Sequence, residues 1–187
     1  MSDEPALRAD AQKNRELILS AAEALFLEKG ANVALEEVAK RAGVGIGTLY
    51  RRFPTREALL AATSNARFLS LAQTSRARDP ELTPGDAVRA YLEELAKDTN
   101  TYQSLAASIG TVIQSGTPGC SAIAAEGRRL LQRGQEAGAI RPDVTYEDFI
   151  YVLTAISIAI ENDRSSTSRI GHLVDLFLNG ISVKAQD

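Results

Sequence analysis

The chain is expected to be all-α, and three observations carry that expectation. Apolar residues recur at the 3, 4 and 7 spacing of one helix face in nearly every readable segment. No run alternates apolar and polar residues long enough to force a sheet. Alanine and leucine are abundant, aromatic residues make up only 5% and tryptophan is absent, a mix that favours helices over strands. At 187 residues the chain fits one domain, or one core with a small appended module, and 44% hydrophobic residues argue against disorder.

The first helix runs from about Ala9 to Lys29, with Leu17, Ile18, Ala21, Ala22, Leu25 and Phe26 in one stripe. Gly30 then supplies a helix-ending residue that tolerates left-handed geometry. A short helix over Leu35 to Ala42 turns Leu35, Val38 and Ala39 inward and leaves Glu36, Glu37, Lys40 and Arg41 outside. Gly43 breaks it. A third helix covers roughly Ile46 to Phe53, with Leu49 and Phe53 four apart on the buried side. Pro54 stops that helix, because the residue before a proline is steered away from helical angles. Thr55 caps a long fourth helix reaching about Ala77.

Beyond "RDPELTPGD" the helical pattern continues. Ala87 to Lys97 carries Val88, Tyr91, Leu92 and Leu95 on one face, and Thr101 to Ser115 carries Tyr102, Leu105, Ile109, Val112 and Ile113. "SGTPGCS" reads as a loop before a helix from about Ala122 to Ala137. Thr145, with Asp148 three later, is a capping signal for a helix over about Glu147 to Asn162, and a last helix covers Ser168 to Ser182. The chain therefore divides into a three-helix unit, residues 1–54, and about six further helices, residues 55–187, making about nine in all.

Net charge is −3, which does not mark the whole chain as a nucleic-acid binder. Its distribution does. From Val38 to Arg56 there are five basic residues (Lys40, Arg41, Arg51, Arg52, Arg56) and no acidic one, so the remaining 168 residues carry −8. Local charge governs attraction to phosphate. Lys40 and Arg41 read as ordinary surface charges; for Arg51 a solvated helix face is an equal alternative.

Two short helices joined by a glycine-containing turn make a helix-turn-helix. Gly43 permits the sharp turn, Val44 anchors it, and Gly45 and Gly47 keep the start of the third helix slim. With Leu49 and Phe53 buried, Ile46, Thr48, Tyr50, Arg51 and Arg52 are left to the other sides. That set suits double-stranded DNA: the helix start meets base edges, while hydroxyls and guanidiniums hold phosphates.

The stretch "VAKRAGVGIGTLYRRFPTREALL", Val38 to Leu60, resembles the TetR (tetracycline-repressor-like) family of transcriptional regulators. The residues that carry the likeness are Ala42-Gly43-Val44, Gly47-Thr48-Leu49-Tyr50, Arg52-Phe53 and Arg56-Glu57-Ala58-Leu59. The helix before them, with Ala22, Leu25 and Phe26 ahead of Gly30, also looks like the family's first helix, so the specific likeness spans about Leu17 to Leu60. It implies a dimeric regulator, usually a repressor, whose N-terminal domains sit in successive major grooves of a palindromic operator and whose C-terminal helices hold a small-molecule pocket and the dimer interface. By position it assigns phosphate contacts to Thr48 and Tyr50, the DNA backbone to Arg56, and base edges to Gly45, Ile46 and Gly47. Two departures stand out. The Ser or Thr that commonly caps the family's second helix is replaced by Val33 or Ala34, and Ile46 stands where a polar residue is common. An isoleucine there can pack on a thymine methyl.

In the C-terminal part, Phe68, Tyr91, Tyr102, Gln114 and Tyr151 are candidate pocket residues, since rings and isolated polar groups interrupt apolar helices; core packing explains most of them equally well. "DFIYVLTAISIAI" and "HLVDLFLNGI" are apolar on more sides than a surface helix needs. Burial against a second copy places Ile156, Ile160, His172, Leu173, Leu176 and Phe177 in a dimer interface; burial within one chain is the alternative.

Enzyme chemistry has little to build on. His172 is the lone histidine and has no companion ligands at metal spacing, so it reads as structural or interfacial, and no cofactor is expected. Cys120 rules out an internal disulfide framework, has no flanking basic residue to activate it, and fits a reducing compartment. The N-terminus lacks the apolar core of a signal peptide, and the longest apolar stretch, Phe149 to Ile160, is too short for a bilayer. A cytoplasmic protein, associated with the nucleoid when on DNA, is expected. A helical protein-interaction adaptor, or more remotely a small helical enzyme, are the alternative readings; an adaptor would tolerate acids among Arg51, Arg52 and Arg56, and none is there.

Overall fold

Apolar periodicity builds nine α-helices among the residues that the structure, a computed structural model, describes: 4–162 and 168–182. They are α1 (Glu4–Lys29), α2 (Leu35–Ala42), α3 (Ile46–Arg52), α4 (Arg56–Arg78), α5 (Pro84–Thr99), α6 (Ile109–Ile113), α7 (Pro118–Glu136), α8 (Tyr146–Asn162) and α9 (Ser168–Ile181). The all-α expectation holds for the described residues; an isolated bridge between Ile140 and Ser182 only pins the chain after α7 to the end of α9.

Threonine starts three of these helices in the same way. Thr55, Thr83 and Thr117 accept backbone N–H groups from Ala58, Asp86 and Cys120, and Pro84 and Pro118 supply a preset first turn that needs no donor. Thr145 and Asp148 form a reciprocal box at the start of α8, each side chain accepting the other's backbone N–H at 2.8 and 3.2 Å.

One expected helix is broken. Thr101 to Ser115 was expected as a single segment, but the chain turns after α5, passes through a short 3-10 stretch at Ala106–Ser108 and resumes in α6. Ser104 sits at φ 66°, and its N–H donates to the Glu161 carboxylate at 2.5 Å instead of to a helical carbonyl. The apolar spacing still describes burial: Tyr102, Leu105, Ile109, Val112 and Ile113 are all in the core. The loop expected at "SGTPGCS" is shorter, because Thr117 and Pro118 already open α7.

Helix α4 joins the two halves. It packs on α1 as well as on α5, α6 and, most extensively, α7. The approach to α7 is close at Gly119, where a Cβ would run into the Asn65 backbone and where the Gly119 N–H meets Asn65 Oδ1 at 2.8 Å. Near the far end of α4, Glu126 of α7 is fully buried and accepts hydrogen bonds from Ser75, Arg76 and Arg129, each at 2.8–2.9 Å. Asp79 takes Arg129 and Arg133 beside it. These pairs lock the two helices in one register.

Candidate functional site

Helices α2 and α3 meet through a turn in which Gly43 adopts φ 67°, its N–H and that of Val44 returning to the carbonyls of Lys40 and Ala39. Leu35, Val38, Ala39, Ala42, Leu49 and Phe53 seal the inner side of the pair against Ile18, Ala22, Leu25 and Phe26 of α1. Residue 34 is alanine, and α2 has no side-chain cap there. The outer side of α3 carries Gly45, Ile46, Gly47, Tyr50, Arg51 and Arg52 in the open, with Thr48 half-buried. A Cβ at Gly45 or Gly47 would touch nothing, so the start of α3 is bare backbone that a duplex can approach.

The positive charges of this unit divide by partner. Arg41 forms a two-armed pair with Glu28 at 2.7 Å, and Lys29 pairs with Glu37, so these charges are largely answered locally. Arg51 holds Thr48 Oγ1 at 3.2 Å, and Arg52 donates to the Ala11 carbonyl at 2.9 Å, tying α3 to α1 while its charge stays exposed. Across a cleft from Thr48, Arg51 and Arg52 stand Asp10, Ala11 and Asn14 of α1. Sequence reading did not anticipate that α1 borders this face, since only tertiary packing brings residues 10–14 beside 48–52.

Arg56, expected at the DNA backbone, is turned inward. Its guanidinium donates to the Ala31 carbonyl at 2.8 Å and also to that of Val33. The same turn is held from the other side: the Ala31 N–H meets the Gln103 carbonyl at 2.7 Å, and Phe26 and Tyr102 rings lie 5.5 Å apart. Through Ser104 and Glu161 the contact continues to the end of α8.

Between α6, α7 and α8 lies a groove of ≈ 390 Å³. Its walls are Gly110, Ile113, Ala124, Ala125 and Ile150, and its polar groups are Gln114, Ser121, Arg128, Tyr146 and Glu147, with Tyr151 at the edge. Gln114 and Tyr151 are thus the expected pocket residues that line it. Phe68, Tyr91 and Tyr102 are fully buried in the core, where Tyr91 donates to the Ile123 carbonyl at 3.0 Å and Tyr102 accepts from Arg67 at 2.7 Å. Their hydroxyls are satisfied by the protein itself. Burial also pushes the Tyr91 and Tyr146 hydroxyls above the ordinary tyrosine value, so both stay protonated. Sequence reading missed Arg128.

On α8, Tyr151 is 72% exposed and Ile158 is also exposed; on α9, Leu176 is 57% exposed and His172 is exposed too. Ile160, Leu173 and Phe177 are half-buried against their own core, and Phe149 and Phe177 meet edge to face. Ile156, expected at an interface, is buried within the protomer. Among the described residues no helix is long and apolar enough to cross a membrane, and no cluster of three or more His, Cys, Asp or Glu is placed to hold a metal.

Two stretches of the chain match known protein families. Residues 18–63 match the family described as bacterial regulatory proteins, tetR family, and residues 83–183 match the C-terminal domain of SbtR-like transcriptional regulators. A helix-turn-helix-type transcriptional regulator of Staphylococcus aureus is 46% identical over 48 residues, 25% of this chain and 26% of its own length. The match thus spans about a quarter of such curated relatives. The TetR transcriptional regulator SCO0520 from Streptomyces coelicolor is 31% identical over 91% of this chain and 99% of its own, with a TM-score of 0.56. RolR, solved in complex with resorcinol, shares the fold at 22% identity and a TM-score of 0.69, covering 94% of this chain and 91% of its own. FadR from Bacillus subtilis, solved with stearoyl-CoA, shares it at 17% identity and a TM-score of 0.61, covering 89% and 99%. With a helix-turn-helix at one end and a family-specific helical domain over the rest, the chain belongs to the TetR family of DNA-binding transcriptional regulators.

Proposed function

We propose that this regulator is a ligand-responsive repressor that binds a palindromic operator as a homodimer and is released by a small-molecule effector. Residues 1–54 form the DNA-binding domain in this reading, and residues 55–187 the effector-binding and dimerisation domain. The observation that carries it is the outer side of α3, where bare glycine backbone, an exposed isoleucine, hydroxyls and exposed guanidiniums meet the solvent. Gly45, Ile46 and Gly47 face base edges, while Thr48, Tyr50, Arg51 and Arg52 hold phosphates. Arg56 takes a supporting part, steadying the turn ahead of α2.

Two protomers joined through α8 and α9 present their α3 helices to half-sites one helical turn apart, about 34 Å. The exposed Tyr151 and Leu176 support that interface. An effector in the groove between α6, α7 and α8 favours a dimer whose α3 spacing no longer fits. It shifts the equilibrium only by its difference in affinity for the two forms. Two links run from that region toward the reading helices: α4 itself, and the contact from Glu161 through Ser104 and Gln103 to Ala31. Solved relatives of the same fold hold resorcinol and stearoyl-CoA, which supports an effector without naming this one. Such a protein works in the cytoplasm, on the nucleoid.

The test is fluorescence anisotropy with the upstream region of the chain's own gene, with and without unlabelled competitor. A sequence-specific, salt-sensitive complex is expected. No complex with any duplex at low ionic strength sinks the reading.

A further inference from the structure

We propose that the groove between α6, α7 and α8 takes a small aromatic monoanion, its carboxylate held by Arg128. The proposal rests on the effector reading above and names the chemical class of the effector. Between Arg67 and Arg141 the chain has eight arginines, and seven of them pair with a carboxylate. The eighth, Arg128, pairs with none among the described residues; its guanidinium lies over the Tyr146 ring, 4.6 Å from the centroid. That ring contact takes up none of the N–H donors in a hydrogen bond, so their edge remains for a ligand. A planar carboxylate matches that edge with two parallel hydrogen bonds.

The rest of the groove describes the body of the molecule. Ile113 and Ile150 offer apolar walls, together with the small residues Gly110, Ala124 and Ala125. At ≈ 390 Å³ the groove is more than twice the roughly 150 Å³ cavity that encloses benzene, which leaves room for about two fused rings and a head group. Glu147 lines the same groove without pairing to Arg128, so a second negative charge on the ligand meets repulsion. One carboxylate is accepted and two are not.

The experiment is calorimetric titration of the full chain with 2-naphthoate, its neutral isostere 2-naphthamide and the dianion naphthalene-2,6-dicarboxylate. Naphthoate is expected to bind, with the amide and the dianion each weaker by about tenfold or more, the usual cost of losing or opposing a charge-assisted hydrogen bond. Arg128→Gln should bring the acid down to the level of the amide, and Arg128→Lys should restore part of the preference. The proposal is overturned if the wild-type chain binds no carboxylate, if it binds acid and amide alike, or if Arg128→Gln keeps the preference. Operator titration on the same samples separates the two readings. An acid that binds without changing operator affinity upholds the ligand class and sinks the effector role; a neutral aromatic that releases the operator where acids do not leaves the effector role standing and sinks the class.

Discussion

The Arg56 guanidinium donates to the carbonyl of Ala31, 2.8 Å away, and with its second bond to Val33 clamps the turn ahead of the reading helices to the first turn of α4. Ala31 and Val33 are buried, so removing the donor strands carbonyls that water does not readily reach. Arg56→Met should lower the unfolding free energy by about 1–3 kcal/mol in urea denaturation. Both bonds leave one nitrogen, Nη1, so Arg56→Lys, whose ammonium also carries several N–H donors, should restore part of the loss. Unchanged stability with a shallower salt dependence of DNA binding would return Arg56 to the phosphate backbone.

Arg51 gives the opposite signature. It is exposed and, among the described residues, holds only the Thr48 hydroxyl. Arg51→Gln should make the slope of log K against log salt shallower by about 0.9 while leaving thermal stability unchanged. A slope that does not move shows that Arg51 merely solvates the helix.

Ile46, 38% exposed at the start of α3, has no polar group with which to read a base. If it packs on a thymine methyl, replacing thymine by uracil at the contacted position costs about 0.8 kcal/mol, some fourfold in affinity. Ile46→Ala should abolish that difference. A variant as sensitive to the methyl as the wild type removes the idea.

Acid should weaken the lock between α4 and α7. Burial opposes ionisation of Glu126, but hydrogen bonds from Arg129, Arg76 and Ser75 outweigh it and hold its carboxyl below the ordinary glutamate value. The hydrogen bond from Arg129 leads in lowering that of Asp79. A carboxyl whose folded pKa lies below its unfolded one contributes stability above the unfolded value and loses it as pH falls through the folded one. Stability should therefore decline below about pH 4.5, the unfolded range for glutamate. Glu126→Gln should flatten that decline. At neutral pH it should cost about 1–2 kcal/mol, because Arg76 and Arg129 lose a carboxylate but are themselves partly exposed, and Arg129 keeps Asp79. A full acid decline in the variant assigns it to other carboxylates.

Much of this was legible in the sequence because it is local. The Gly43 turn, the Thr55 and Thr145 caps and the apolar stripe of α1 depend on neighbours a few residues away. The break at Ser104 was not, since it depends on Glu161, 57 residues later, and the apolar spacing is the same whether the backbone turns or coils. Arg56 reads as a surface cation until its partners 23 and 25 residues upstream are known. Rings on apolar helices suggest a pocket, yet Phe68, Tyr91 and Tyr102 are the side chains a core most readily buries. Arg128 did leave a trace: Ala124, Ala125, Leu131 and Gln132 occupy its helical neighbour positions, so no acid can answer it along α7, whereas Glu126 answers Arg129 at three residues' distance.

The outer face of α8 and α9 supplies the remaining test. Leu176 of α9 is 57% exposed and Tyr151 of α8 72%, two large apolar side chains that a second copy would cover. In a two-fold interface every substitution acts twice, so Leu176→Glu puts two carboxylates into one apolar seam. Sedimentation velocity should show the wild-type chain as a dimer and the variant as a folded monomer. Operator affinity should then fall by about a hundredfold or more, since each α3 must hold its half-site alone. If Leu176→Glu sediments as a dimer with operator affinity intact, the protomers join through another surface.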